Sequence, residues 1–367
     1  MTPPTARSSL CSPQVHFTRK AAACLHTFIP VCARREAAGT VINMRIRAII
    51  RNFMLHSNKG AAVFYRIRAL RERTALQKLT DEEYVMKTYK ERFGHEINLE
   101  KPVTFGEKLQ WLKLFYRNDL MPRCSDKYEV REYLKEIGMA PLCNELIGVY
   151  EDANQIDFDS LPDRFVAKAT HGSGWNLICK NKAELNRKDA IRLMNSWLKL
   201  NLYVFGREWN YKYIHPRIVI ETYLDHEPLN DYKFMCFNGE PFFMQLNNDF
   251  EGAHYVDFYD LKTWEHLPVT FSAYKRSDRL IEKPAQLDEM MELARILSKP
   301  FPFVRVDFYN FDKRIILGEL TFFPGGGLWP LTPQEYGYNE KLGELLTLPE
   351  PNFNLELYNR LHGSVSG

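Results

Sequence analysis

Arg305-Val-Asp307 lies in one apolar run, Gly318-Glu-Leu-Thr321 in the next, and Pro324-Gly-Gly-Gly327 closes the pair. Phe303–Tyr309 and Ile315–Phe322 have the length and β-branched or aromatic content of two strands joined as a hairpin. Side chains alternate along a strand, so Arg305, Asp307 and Tyr309 share one face of the first. Ile315, Leu317, Glu319 and Thr321 share one face of the second. Asp307 and Glu319 face the same way only if the loop has an odd number of residues, barring a bulge. A three-residue loop at Phe311–Lys313 makes them diagonal neighbours. Two carboxylates that close repel unless a cation or proton sits between them. A hard divalent ion shared with phosphate oxygens is the natural filling, and Mg²⁺ binds in that way. The alternative is an exposed face with Arg305 paired to Glu319.

Upstream, Lys168-Ala-Thr-His-Gly172-Ser-Gly174-Trp separates two predicted strands, Arg164–Lys168 and Asn176–Lys180. Glycines let backbone N–H groups approach phosphate oxygens, and Lys168 at a strand end can neutralise them. The GxxxxGK[ST] order is absent and a strand follows, so this is no Walker A loop. A plain hairpin turn explains Gly172 and Gly174 equally well. His171 can touch a phosphate or pack against Trp175. Arg217–Leu224 reads as a buried strand that turns polar at Glu221. Asp126-Lys127 reads as a helix start, with Asp126 capping.

Around these runs the order is helices first, then strands with a few helices, which is α+β. Thr80-Asp-Glu-Glu83 opens a helix through Arg92, and Thr104-Phe-Gly-Glu107 opens another. A third helix is expected over about 125–137, stopped by Gly138. Ala183–Asn201 and Gln286–Leu297 are further helices. Asp231–Phe237 and Glu240–Leu246 form a hairpin over Asn238-Gly239. The expected division is a basic leader over 1–75, a helical domain over 76–150, a small lobe with the glycine loop over 151–225, a large lobe with the metal site over 226–350, and a tail over 351–367.

Composition bounds the function. The chain has 367 residues, 45% hydrophobic, and a net charge of only +3, which argues against a dedicated nucleic-acid binder. Seven cysteines with no CxxC pair indicate neither a disulfide framework nor a zinc site, and reduced cytosolic thiols fit best. Residues 1–73 carry thirteen Lys/Arg against Glu36 and Glu72. Such a segment is either an unstructured or weakly helical leader or an attachment to anionic lipid at the inner face of the membrane. Met44 looks like a more natural start, with residues 1–43 an upstream extension. Asp157-Phe-Asp159 matches a DxD pattern, but the acidic, Pro-flanked context marks a solvated turn.

The combined order of Asp126-Lys127, Lys168 with its glycine loop, Ile220-Glu221, Arg305-x-Asp307 and Glu319-x-Thr321 resembles the ATP-grasp superfamily. Within it the chain looks most like the TupA-like group, named for teichuronopeptide synthesis. The likeness runs from about residue 80 to 345. It rests on Thr104-Phe-Gly-Glu-Lys-Leu-Gln-Trp-Leu-Lys, Gly206-Arg-Glu-Trp-Asn-Tyr, Asp231-Tyr-Lys-Phe-Met-Cys-Phe-Asn-Gly, Phe301-Pro-Phe-Val-Arg-Val-Asp and Gly318-Glu-Leu-Thr-Phe-Phe-Pro-Gly. The resemblance implies two α+β lobes clasping ATP, preceded by a mostly helical N-terminal region. Lys127 and Lys168, with His171, Gly172, Ser173 and Gly174, would hold phosphates. Glu221, Thr222 and Leu224 would line adenine, Glu227 or Asp231 would reach ribose, and Lys233 would face the phosphates. Asp307, Glu319 and Thr321 would bind Mg²⁺, although Thr321 stands where the family has Asn. Arg305 and Lys168 would be catalytic. Arg207, Trp209, Gly325 and Gly326 would line an acceptor pocket, or Gly206–Tyr211 would simply pack.

The implied reaction is ATP-dependent ligation of a carboxylate, such as a glycan uronic acid, to the amine of an amino acid. The rivals are a sugar kinase with the same ATP site and a glycosyltransferase, the label some members of the group carry.

Overall fold

A computed structural model of the chain describes residues 60–65, 67, 79–225, 231–250, 253–311 and 314–362. Expectations for residues 1–59 and for Glu227 fall outside them. Helix α1 (Asp81–Phe93) begins at a Thr80/Glu83 capping box and ends at Gly94, whose φ of 81° is left-handed. Helix α2 (Phe105–Phe115) begins at a Thr104/Glu107 capping box and is buried on nearly every side. A helix buried all round belongs inside a core rather than on its surface. Helices α3 (Leu120–Ser125) and α4 (Glu129–Glu136) follow. They divide the single helix expected over 125–137, because the Asp126 carboxylate accepts the Tyr128 amide at 2.8 Å and turns the chain between them.

The first sheet holds β1 (Leu146–Tyr150), β2 (Phe165–Ala169), β3 (Asn176–Cys179) and β4 (Ile218–Thr222), in the antiparallel order β1-β4-β2-β3. Helix α5 (Arg187–Trp197) and the short α6 (Tyr203–Gly206) lie between β3 and β4 in sequence. The core of this lobe gathers Phe165, Leu193, Trp197 and Ile220. Residues 60–65 are helical and join it: Tyr65 is buried and meets the Trp175 ring edge-on at 6.4 Å. That part of the basic leader is therefore docked.

The second sheet holds β5 (Asp231–Phe237), β6 (Glu240–Phe250), β7 (Ala253–Asp260), β9 (Phe303–Phe311) and β10 (Arg314–Thr321), in the order β10-β9-β5-β6-β7. A two-residue ladder joins β8 (Thr270–Phe271) to β11 (Leu331–Thr332). Helix α7 (Leu287–Ser298) covers the sheet, and α8 (Tyr338–Leu345) packs on α2. The Asn238-Gly239 turn forms as expected, with φ of 50° and 87°. Phe105, Leu109, Leu112 and Phe115 of α2 share one core with Phe234, Phe303 and Phe308 of this sheet. The helices therefore form no separate domain: they belong to the second lobe. The tail also docks, since α9 (Leu355–His362) sets Tyr358 edge-on against Trp111 and Phe115.

The hairpin of β9 and β10 departs from its expected register. Phe311 pairs with Arg314 and Phe308 with Leu317, so two residues, not three, separate the strands. The register then shifts at Gly318, after which Glu319 pairs with Asp307 and Thr321 with Arg305. This bulge supplies the parity that the even loop lacks. A Cβ at Gly318 would come 3.2 Å from Asp307 O and 3.2 Å from the Tyr309 ring, so glycine suits the close approach.

Candidate active site

The turn between α3 and α4 places Lys127. Asp126 is buried and receives Arg217 Nη2 at 2.9 Å, which ties this turn to β4. Lys127 then donates its amide to Thr170 O at 3.3 Å and its Nζ to Gly172 O at 2.5 Å. Lys168, near the end of β2, sets its Nζ 2.7 Å from Glu221 Oε2 on the adjoining β4. Arg131 of α4 reaches the other Glu221 oxygen at 3.3 Å. Glu221 is buried, and burial raises its carboxyl, but Lys168 and Arg131 outweigh that and hold it below the usual range.

One cleft is lined by Lys168 and Glu221 of the first sheet, by Lys127 of the turn between α3 and α4, and by Gly318 and Glu319 of β10. Val130, Leu134, Leu142 and Leu317 give it an apolar wall. A mostly apolar slot with a few convergent charges is the usual form of a small-molecule site. Burial pushes the Lys127 ammonium below its ordinary range, against the pull of Glu319. Burial acts upward on Glu319, but Lys127, Arg305 and Lys233 outweigh it and hold that carboxyl low.

Behind the cleft a polar row crosses three strands: Lys233 on β5 pairs in register with Asp307 on β9, and Asp307 with Glu319 on β10. Arg305 Nε and Nη2 each reach an Asp307 oxygen at 2.7 Å. Lys233 Nζ donates to Asp307 Oδ2 at 2.5 Å and meets Asp231 Oδ2 at 2.8 Å. Arg305 Nη2 also reaches Glu319 Oε1 and Thr321 Oγ1, both at 3.1 Å. Burial works against the Arg305 guanidinium, yet Asp307 and Glu319 hold it above its ordinary range.

Between Asp307 and Glu319, where a divalent ion is expected, the structure sets a guanidinium. The guanidinium of Arg305 bridges them, and three donor contacts saturate the buried Asp307 carboxylate. Among the described residues, no group of three or more His, Cys, Asp or Glu side chains is placed to hold a metal ion. Glu319 is different. Arg305 and Thr321 both use its Oε1, and among the described residues Oε2 has no hydrogen bond, while Glu319 itself lines the cleft. One carboxylate beside two lysines suits Mg²⁺ that arrives with phosphate oxygens, which is how this ion is commonly held.

Other expected residues are placed differently. His171 turns away from the cleft. Its Nε2 meets Trp197 O at 3.0 Å, its ring packs edge-on against Trp175, and burial pushes its imidazole down to about 4, so it is neutral at pH 7. Gly172 is required by the same tryptophan, since a Cβ there would lie 2.1 Å from the ring. Ser173 is half-buried and Gly174 has a φ of 70°. Thr222 spends its amide on Glu145 O at 3.1 Å, its carbonyl on Asn144 Nδ2 at 2.8 Å and its hydroxyl on Glu145 Oε2 at 2.9 Å. Leu224 is half-buried past the end of β4. Asp157-Phe-Asp159 is a surface turn, with Asp157 Oδ1 accepting the Asp159 amide at 3.0 Å.

In the Gly206–Tyr211 stretch the structure takes the packing alternative for Arg207 and Trp209. Arg207 points to α1: its Nη2 donates to Leu79 O at 3.0 Å, and its guanidinium lies over the Tyr84 and Tyr203 rings. Trp209 is buried with Arg117 over its ring at 4.6 Å. Both pack, and neither lines the cleft. The residue between them, Glu208, faces the Pro324–Gly327 turn, with its Oε1 3.8 Å from where a Gly326 Cβ would stand. That turn is held by α2. Gln110 Nε2 and Lys113 Nζ both donate to Gly326 O, at 2.8 and 2.7 Å, and Gly325 and Gly326 have φ of 60° and 66°. Arg131, Gln110, Lys113 and Glu208 were not among the expected site residues. Gln110, Lys113 and Glu208 had a signal, their places inside the strings that carry the resemblance, and Arg131 had none.

A family model described as TupA-like ATPgrasp matches residues 107–347. No curated protein matches the chain. Among solved structures, the chain is similar to D-alanine–D-alanine ligase from Bacillus anthracis complexed with ATP, at 18% identity and a TM-score of 0.34 over 60% of this chain and 58% of that one. It is similar to the Helicobacter pylori enzyme of that name at 15% and 0.35, over 66% and 69%. It is also similar to N5-carboxyaminoimidazole synthetase from Staphylococcus aureus complexed with ADP, at 13% and 0.34, over 61% and 52%. The match spans less than two thirds of the Bacillus anthracis chain. At this level of likeness no residue role passes from those structures to this chain.

Proposed function

The chain belongs to the TupA-like ATP-grasp family, and from that premise we propose that it is an ATP-dependent carboxylate–amine ligase of surface-polysaccharide synthesis. The observation that carries the reading is the convergence of Lys127, Lys168, Glu221 and Glu319 on one cleft with an apolar wall. Lys127 and Lys168 would hold phosphate oxygens, with the adenine against Leu134, Leu142 and Leu317 and near Leu224. Glu319, through Oε2, and Thr321 would hold Mg²⁺, whose chemistry is to neutralise charge on the transferring phosphoryl oxygens.

The substrates proposed are a uronic acid and an amino acid. The acid attacks the γ-phosphorus of ATP, giving an acylphosphate and ADP. The amine then displaces phosphate. Lys168 is released from Glu221 when it turns to phosphate, and Arg131 keeps Glu221 paired. Arg305 commits Nε and Nη2 to Asp307, Glu319 and Thr321, which leaves Nη1 to meet an oxyanion. Asp307, Asp231 and Lys233 position that guanidinium from behind.

Product analysis tests the reading. Phosphate release that depends on an added amino acid, in step with ADP, supports ligation. A phosphorylated sugar without phosphate release supports a kinase instead. Membrane attachment through the basic N-terminal segment remains part of the proposal. Among the described residues no helix is long and apolar enough to cross a membrane.

A further inference from the structure

The ligation reading requires an amine with a free electron pair, yet an amino acid's amine arrives protonated at neutral pH. A carboxylate near the cleft, with no partner of its own, could remove that proton. Glu208 stands outside the cleft's lining but near its acid Glu319 and beside Gly326. The described residues give its carboxylate no hydrogen bond and no ion pair, although two charged side chains stand near it. Lys113 of α2 is one, but its ammonium is spent on Gln110 Oε1 at 2.9 Å and Gly326 O at 2.7 Å. Glu319 of β10 is the other, and it repels. A structural ion pair would have closed on Lys113. This one has not.

Glycines make room on two sides of the carboxylate. A Cβ at Gly206 would lie 2.9 Å from Glu208 Oε1, and the Gly326 position meets nothing within 4 Å except that oxygen, at 3.8 Å. The Pro324–Gly327 turn follows directly on Phe322 and Phe323 after Thr321, so it sits at the end of β10 that carries Glu319. Gln110 and Lys113 fix the turn from below, and both are buried.

We infer that Glu208 is the general base of the amine half-reaction, accepting a proton from the substrate ammonium in the space beside Gly326. The inference rests on the ligase reading. In the step, the ammonium gives one proton to the Glu208 carboxylate, and the freed nitrogen pair attacks the acyl carbon of the acylphosphate. The carbon–oxygen bond to phosphate breaks, phosphate leaves with the electron pair, and it takes the second nitrogen proton. Lys113 keeps the carboxylate's charge within reach without neutralising it by contact. Burial raises the Glu208 carboxyl to about 7, opposed by Lys113 and assisted by Glu319, which suits a base working near neutral pH.

The test compares two nucleophiles in wild type and Glu208→Gln. Hydroxylamine is largely unprotonated at neutral pH and traps an acylphosphate as a hydroxamate without a base. Both proteins receive Mg·ATP with glucuronic and galacturonic acid, and either hydroxylamine or a mixture of amino acids. The expected result is a hydroxamate-to-amide ratio about 100-fold higher in Glu208→Gln than in wild type, the lower end of what a general base contributes. Glu208→Asp should restore part of the amide rate. An equal fall in both products would overturn the inference and leave the ligase reading standing. No hydroxamate from wild type would overturn both. Independently, infrared difference spectra of wild type minus Glu208→Gln should show a carboxyl titrating near neutrality. Titration in the ordinary carboxylate range would also overturn the base assignment.

Discussion

Glu319 stands directly opposite Asp307 because the β10–β9 ladder skips Gly318, which bulges out between Leu317 and Glu319. In a ladder without the bulge Gly318 would oppose Asp307, and Glu319 would oppose Val306 and point to the sheet's other face. The bulge at one glycine thus decides whether the cleft has its carboxylate.

Gly318→Val should therefore crowd Asp307 O and the Tyr309 ring, each 3.2 Å from the new Cβ, and disturb the bulge that turns Glu319 to the cleft. Mg·ATP affinity should fall by about 10-fold or more, since both the carboxylate and the Arg305 network are displaced. Calorimetric titration of the variant, with circular dichroism to follow the fold, checks this.

Arg305→Ala should leave the buried Asp307 with Lys233 alone. Removing one partner of a buried charge network typically costs about 3–5 kcal/mol. Urea unfolding should show a loss of that size, and Asp307→Asn should lose less because it removes the stranded charge itself. Equal stability of Arg305→Ala and wild type would contradict the network described for β9 and β10.

Gly172→Ala should crowd the Trp175 ring, which lies 2.1 Å from the new Cβ. Overpacking of this kind costs about 1–3 kcal/mol. The loop carbonyl that receives Lys127 should shift with it. Lower thermal stability together with weaker ATP binding is the expected pair of effects, read by thermal scans with and without ATP.

His171 gives a pH signature. Its imidazole takes up a proton near 6.5 when unfolded but only at about 4 when folded, because burial disfavours the charged form. The unfolded chain therefore binds more protons across that window, and stability is lost as pH falls from about 6.5 to about 4. The loss from this residue is about 3 kcal/mol by that linkage. His171→Gln should flatten this part of a plot of melting temperature against pH.

Much of the fold is legible in the sequence, where local chemistry decides it. Thr80/Glu83 and Thr104/Glu107 are reciprocal caps, and Asn238-Gly239 is a turn whose backbone angles few other pairs adopt. The less legible parts depend on tertiary partners. The break after α3 needs Arg217, just before β4, to hold the buried Asp126. Strand β7 hides in an aromatic-rich stretch that has no clean alternation, and only its pairing with β6 defines it. The bulge at Gly318 looks like an ordinary strand glycine until its neighbours Asp307 O and Tyr309 are in place. In the site, the lysines and acids of the cleft follow from their motifs. The exchange of roles among Arg207, Glu208 and Trp209 does not, because three adjacent polar or aromatic residues carry no sign of which turns toward Gly326.

The central claim is that Lys168 and Glu319 face one nucleotide from opposite lobes. Calorimetric titration of Mg·ATP into wild type, Lys168→Ala and Glu319→Gln tests it most directly, with Mg·UDP-glucose as the control ligand. Saturable Mg·ATP binding by wild type, weakened about 10-fold or more in each variant and absent with Mg·UDP-glucose, is the expected result. Binding of Mg·UDP-glucose with no response to Mg·ATP, or Mg·ATP affinity unchanged in both variants, would contradict it.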